Sequence, residues 1–140
     1  MSKPRIRGFA LALMAVGTLA ACSGSSTNPP VTSVLPVRTV EAGSVDAIIT
    51  PIRFDASGAT FSIVLDTHSG DLSLDLTTSA MLDVGGTAWI NAGWTGDGPG
   101  GHHRQVEVQF SSQGPAKGTA TLTITGLPES IEVTWELGND

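Results

Sequence analysis

The chain has 140 residues, seven basic and 13 acidic side chains, a formal charge of −6 and one cysteine. The surplus of acid leaves phosphate no basic footprint, so nucleic acid is excluded as a partner. A single cysteine excludes internal disulfides and, if its thiol is acylated, leaves none for iron–sulfur clusters, covalently attached haem or blue-copper centres.

In chain order, three positive charges (Lys3, Arg5, Arg7) precede an apolar run from Gly8 to Leu19, which ends in Leu19-Ala20-Ala21-Cys22. A charged start, a short apolar stretch and small residues before a cut site form a secretory signal. The run falls short of the roughly 20 apolar residues a spanning helix needs. Arg5-Ile6-Arg7 is not a twin-arginine pair, so general export is expected. The Leu-Ala-Ala-Cys sequence resembles the lipobox of bacterial lipoproteins. That resemblance implies cleavage before Cys22, acylation of its thiol and of the new amine, and attachment to a membrane through those chains. Ser23 after Cys22 resembles lipoproteins sent to an outer membrane. In a cell with one membrane the same protein would sit on the outer face of the plasma membrane.

The expected division is therefore a signal over residues 1–21, a lipidated tether over 22–36 and a folded domain over 37–140. Cleavage leaves 119 residues, enough for one domain with a core of its own. Three of the seven basic residues leave with the signal, so four face 13 acids and the mature side-chain charge is −9. That balance opposes lying flat on anionic lipid and suits a role with cations. Ser23 to Pro30 (Ser-Gly-Ser-Ser-Thr-Asn-Pro-Pro) has almost nothing to bury and reads as a flexible tether.

From about Val37 the apolar residues recur with period two, the mark of half-buried strands. The expected inward sets are Ile48, Thr50, Ile52 and Phe54; then Phe61, Ile63 and Leu65; then Leu72, Leu74 and Leu76. Val106, Val108 and Phe110 follow, then Ala120, Leu122 and Ile124, and last Ile131, Val133, Trp135 and Leu137. Turn chemistry separates them: Asp55-Ala-Ser-Gly58 at hairpin distance, Gly85-Gly86, Gly96 to Gly101, Gly114-Pro115 and Gly126-Leu-Pro128. Thr77 to Val84 is ambiguous and has room for a helical turn. Many short antiparallel strands in about 100 residues predict an all-β fold, an antiparallel two-sheet sandwich that is immunoglobulin-like in the broad sense, after a cleaved N-terminal signal helix. Trp135 is assigned to the core, and so are Trp89 and Trp94. The alternative for that last pair is an exposed aromatic surface for sugars or peptides.

All three histidines fall in loops or at strand ends. His68 lies just past a strand in Leu65-Asp66-Thr67-His68-Ser69-Gly70-Asp71, and His102 and His103 lie just before one in Gly101-His102-His103-Arg104. The two loops share an end of the fold only if their strands are antiparallel to each other. Should they meet, His68 and one or both of His102 and His103 would converge beside Asp66, Asp71 or Asp97. Imidazole with carboxylate suits zinc, copper(II) or nickel. Adjacent histidines on extended chain point opposite ways, so one of them faces such a site, and Arg104 nearby counts against a cation. The competing reading makes Asp66-Thr67-His68-Ser69 a turn cap and His102 and His103 solvated loop residues. Calcium at Asp66, Asp71, Asp83 and Asp97 lacks the spaced Asp-x-Asp-x-Asp-Gly run such sites use. Gly96-Asp-Gly-Pro-Gly-Gly101 spells G-x-G-x-x-G, but a strand-patterned segment rather than a helix follows it, so it is not a dinucleotide fingerprint.

Leu65-Asp-Thr-His-Ser69 together with Trp94-x-Gly-x-Gly-x-Gly-Gly-His-His-Arg104 resembles a family of uncharacterised exported prokaryotic domains, over roughly Val40 to Leu137. The resemblance implies no activity, but it implies that the two histidine loops belong together. The expected function is binding without catalysis, with a transition metal (zinc or copper(II)) as the sharpest ligand, through His68, His102, His103 and Asp66. The rival is a structural or interaction module that contacts an envelope protein through sheet edges or the Trp89/Trp94 region. An enzyme is not expected, since one histidine cluster without a nucleophile defines no reaction class.

Overall fold

The computed structural model describes residues 34–138. The signal expected over 1–21, Cys22 and most of the tether lie outside the described residues. Among those described, no helix is long and apolar enough to cross a membrane.

The domain is all-β, with eight antiparallel strands: β1 (Arg38–Ala42), β2 (Val45–Asp55), β3 (Gly58–Thr67), β4 (Ala80–Val84), β5 (Thr87–Gly96), β6 (His103–Ser111), β7 (Gly118–Ile124) and β8 (Ile131–Leu137). One short helix, α1 (Leu76–Ser79), precedes β4. Alternation accounts for the strands. Phe61, Ile63 and Leu65 are buried on β3, Val106, Val108 and Phe110 on β6, Ala120, Leu122 and Ile124 on β7, and Ile131, Val133 and Trp135 on β8. Their polar neighbours point outward.

The expected division into two sheets gives way to one hydrogen-bonded series, β1-β2-β3-β6-β5-β4-β7-β8. The reason lies in β5, which serves both halves. Its first residues pair with β4 through Leu82↔Trp89, and the rest pair with β6 through Trp94↔Val108. A bulge at Asn91–Gly93 turns the strand between them, with Gly93 at φ +109°. The Asn91 side-chain amide fixes the corner by donating to the carbonyls of Leu76 (2.9 Å) and Ala80 (3.0 Å).

The sheet is nearly closed. Its outer strands, β1 and β8, approach each other and are joined by side chains instead of a ladder. Arg38 donates to the Thr134 carbonyl from Nε (3.1 Å) and Nη2 (2.8 Å), and the Trp135 indole N–H donates to the Pro36 carbonyl (2.7 Å). An edge occupied in this way offers a poor template for another chain's strand.

Two inward sets differ from the sequence expectation. On β2 the buried residues are Val45, Ala47 and Ile49, while Ile48 and Ile52 are exposed. Both faces of β2 are apolar, and the register shifts between Pro51 and Arg53, leaving Ile52 as the extra residue. Beyond that bulge the phase reverses, and Phe54 packs 5.3 Å from Trp89 and 6.0 Å from Phe61 (ring centroids). Leu72, Leu74 and Leu76 are buried as expected, yet Asp71 to Asp75 joins no ladder. Leu76 instead opens the helical turn, capped by the Asp75 carboxylate, which accepts from the Thr77 N–H (2.9 Å).

Strand direction gives the domain two ends. The foot holds the start of β1, the β2–β3 hairpin at Asp55–Gly58 and the end of β8. The crown holds the β1–β2 turn, residues 68–79, the loop at 96–102 and the β7–β8 connection.

Candidate functional site at the crown

Antiparallel pairing of β3 with β6 satisfies the condition for the two histidine loops to meet. Asp66 stands directly opposite His103, and the Thr67 N–H donates to the His102 carbonyl (2.8 Å). On the outer face His103 Nδ1 lies 2.5 Å from the Asp66 carboxylate, both side chains being about half exposed. The hydrogen bond that His103 donates to the Asp66 carboxylate raises its pKa above the usual value. The Asp66 charge adds to the shift, and more distant Asp97 contributes least.

His68 and His102 are exposed on the same end of the fold. Among the described residues, no group of three or more histidine, cysteine, aspartate or glutamate side chains is placed to hold a metal ion. The structure thus brings one imidazole and one carboxylate together and leaves the other two histidines free-standing. Asp71 and Asp97, expected as alternative partners, are occupied by backbone. Asp71 accepts from the Gly101 N–H (2.6 Å) and Asp97 from the Gln105 N–H (2.8 Å). Asp83 accepts from the Gly86 N–H (2.9 Å) and sits in the β4–β5 turn at the foot, away from the other three. The turn after β3 is capped by Thr67, whose single hydroxyl proton lies within hydrogen-bond distance of the carbonyls of Ser69 (2.6 Å) and Ser44 (2.9 Å).

The residue that organises this end is Arg104. Next to His103 on an extended strand, it points to the opposite face, and it is fully buried. Nε donates to the Asp97 carbonyl (3.1 Å), and Nη1 to the carbonyls of Leu74 (2.6 Å) and Leu72 (3.3 Å). Its guanidinium carbon lies 4.8 Å from the centroid of the half-buried Trp94 ring. Arg104 therefore replaces a strand partner for residues 72–74, which otherwise have only the Leu72 contacts with Gly100 (2.9 Å) and Gly101 (3.0 Å). Burial lowers its pKa, and Asp75 and then Asp97 oppose that shift. Nη2 has no hydrogen-bond partner among the described residues. The sequence carried a signal for this role: Arg104 is in phase with Val106, Val108 and Phe110.

The glycines of the 96–101 loop permit this geometry. A side chain at Gly96 (φ +117°) would meet the Gln105 carbonyl oxygen at 2.5 Å, and Gly100 and Gly101 also have positive φ. Trp89 is buried and Trp94 packs against the core, so neither forms an exposed aromatic platform. Comparison of the chain with protein-family models, with curated proteins and with solved structures finds no match.

Proposed function

We propose that this chain is an exported lipoprotein, anchored through Cys22, whose β-domain binds without catalysis at its crown. The observation that carries the reading is the junction of the two histidine loops at Asp66–His103, held on a scaffold fixed by buried Arg104. Loops held on a rigid frame are where binding residues concentrate. The anchor rests on the sequence Leu19-Ala20-Ala21-Cys22 and on the charged and apolar segments before it. It assigns the protein to an outer membrane or to the outer face of a plasma membrane.

Zinc or copper(II) is the ligand best suited to an imidazole–carboxylate pair, with His68 or His102 joining by movement of their loops. Calorimetric titration of the soluble domain from Ser23 onward, without a tag, tests this. Binding tighter than about millimolar is expected, weakening as pH falls and His103 protonates. His103→Ala and Asp66→Asn should each remove it.

A second reading, a structural or interaction module of the envelope, is favoured by a different observation. Asp71, Asp97 and Arg104 are spent on fixing backbone at the crown. No heat with either metal would make this the better account.

A further inference from the structure

The exposed apolar residues and the charges are unevenly placed along the domain. Val34 (87% exposed) and Val37 (52%) lie where the chain arrives at the foot, Ile52 (53%) lies toward the foot of neighbouring β2, and Ile90 (57%) stands opposite Ser111 at the foot; of the exposed large apolar residues described, only Ile48 (43%) and Met81 (51%) lie toward the crown. The exposed cations Arg53 and Lys117 lie at the same end. Arg53 is paired with Asp55 (3.0 Å), and Arg38 and Lys117 are offset by Asp83 and Glu136, so the foot is close to neutral.

The crown differs. Glu41, Asp46, Asp66 and His103 stand in direct cross-strand succession on the outer face: Glu41↔Asp46, Asp46↔Asp66, Asp66↔His103. Asp71 and Asp97 lie beside them, and among the described residues the one lysine or arginine there, Arg104, is buried. Like charges placed directly opposite one another repel, and a single histidine offsets only part of that. Asp46 and Ile52 are six positions apart, about 20 Å along a strand.

We infer that the domain stands on the bilayer with its foot, residues Val34, Val37 and Ile52, against the lipid and its acidic crown held away from it. This rests on the reading that Cys22 is acylated. The lipid chains supply the attachment, and the foot supplies the orientation. Three features select this end. The anchored segment leads directly into Val34 and Val37, the apolar residues there have no cover among the described residues, and an anionic leaflet repels the crown more strongly than the foot. The net acidic charge opposes lying flat and leaves this upright pose. The histidine loops then face away from the membrane, open to whatever they bind.

Cys22 is the only cysteine, so an acylated chain has no free thiol and any introduced cysteine is unique. The acylated mature protein, reconstituted in phosphatidylcholine–phosphatidylglycerol vesicles, would carry a thiol-reactive fluorophore at Ile52→Cys or Val37→Cys (foot) or at Ser69→Cys (crown). Nitroxide lipids labelled near the headgroup should quench both foot positions severalfold more than the crown position, and the difference should shrink in Ile52→Cys carrying a Val37→Asp change. Equal quenching at the two ends, or stronger quenching at position 69, would overturn the orientation while leaving the anchor intact. Reaction of the wild-type chain with the fluorophore would show Cys22 free and overturn the anchor and the orientation together. Shielding of the foot labels from aqueous iodide without vesicles would assign the surface to a second copy of this chain instead.

Discussion

Arg104→Ala should cost the domain a large share of its stability. In the folded protein the guanidinium is fully buried and serves three carbonyls, those of Leu74, Asp97 and Leu72. The Leu72 carbonyl also accepts from Gly100, so it loses least. The other two bonds, from a charged donor, are worth about 1.5–3 kcal/mol each, a total of about 3–6 kcal/mol. Against a total of roughly 5–15 kcal/mol, the variant should be partly or wholly unfolded at ordinary temperature. Arg104→Lys keeps the charge but cannot fork between the Leu74 and Asp97 carbonyls, so it should fall between wild type and alanine. Urea denaturation of the soluble domain, followed by tryptophan fluorescence, measures the loss, and amide exchange localises it to residues 71–75 and 96–101. A loss below about 1 kcal/mol, or unchanged exchange over 71–75, would refute the claim that Arg104 stands in for a missing strand.

Trp135→Ala should cost about 3–5 kcal/mol, since the ring is buried against Phe61, and thermal unfolding that barely shifts would place it elsewhere. Because the folded pKa of His103 is raised, the Asp66 pair contributes fully below about pH 6.5 and is lost as pH rises through the folded value. In Asp66→Asn the His103 ring resonances should titrate at lower pH by NMR, and an unmoved titration would remove Asp66 as the cause. Gly96→Ala should destabilise by about 1–3 kcal/mol through its positive φ and the Gln105 carbonyl, read as a drop in the urea midpoint; an unchanged midpoint would show that the loop relaxes freely. Cys22→Ala should leave uncleaved precursor or soluble protein, and normal partition of that variant into detergent would count against acylation.

The strands were legible because a polar exterior and an apolar interior impose a period of two, and β3, β6, β7 and β8 follow it without interruption. β2 defeated the same rule. With Ile48 and Ile52 on one face and Ala47 and Ile49 on the other, polarity does not say which face turns inward, and the bulge at Ile52 changes the answer along the strand. The single closing sheet was not legible either, because it depends on one strand bending at Asn91–Gly93 to serve two neighbours, a tertiary event. At the crown, the sequence allowed the histidine loops to meet only if their strands were antiparallel, and the β3–β6 register meets that condition. It did not assign Asp71 and Asp97, since a carboxylate capping backbone N–H groups reads the same in sequence as one awaiting a ligand. Arg104 was hidden by its type, although its position in the alternation marked it as inward.

The most direct test of a binding crown is a titration of the ¹⁵N-labelled soluble domain with zinc, and separately with copper(II), followed residue by residue. A metal bound at the crown should give saturable shifts or broadening confined to Asp66–Asp71 and Gly96–Gln105, absent in His103→Ala. Spectra that remain unchanged to millimolar metal, or changes centred at the foot, would contradict it.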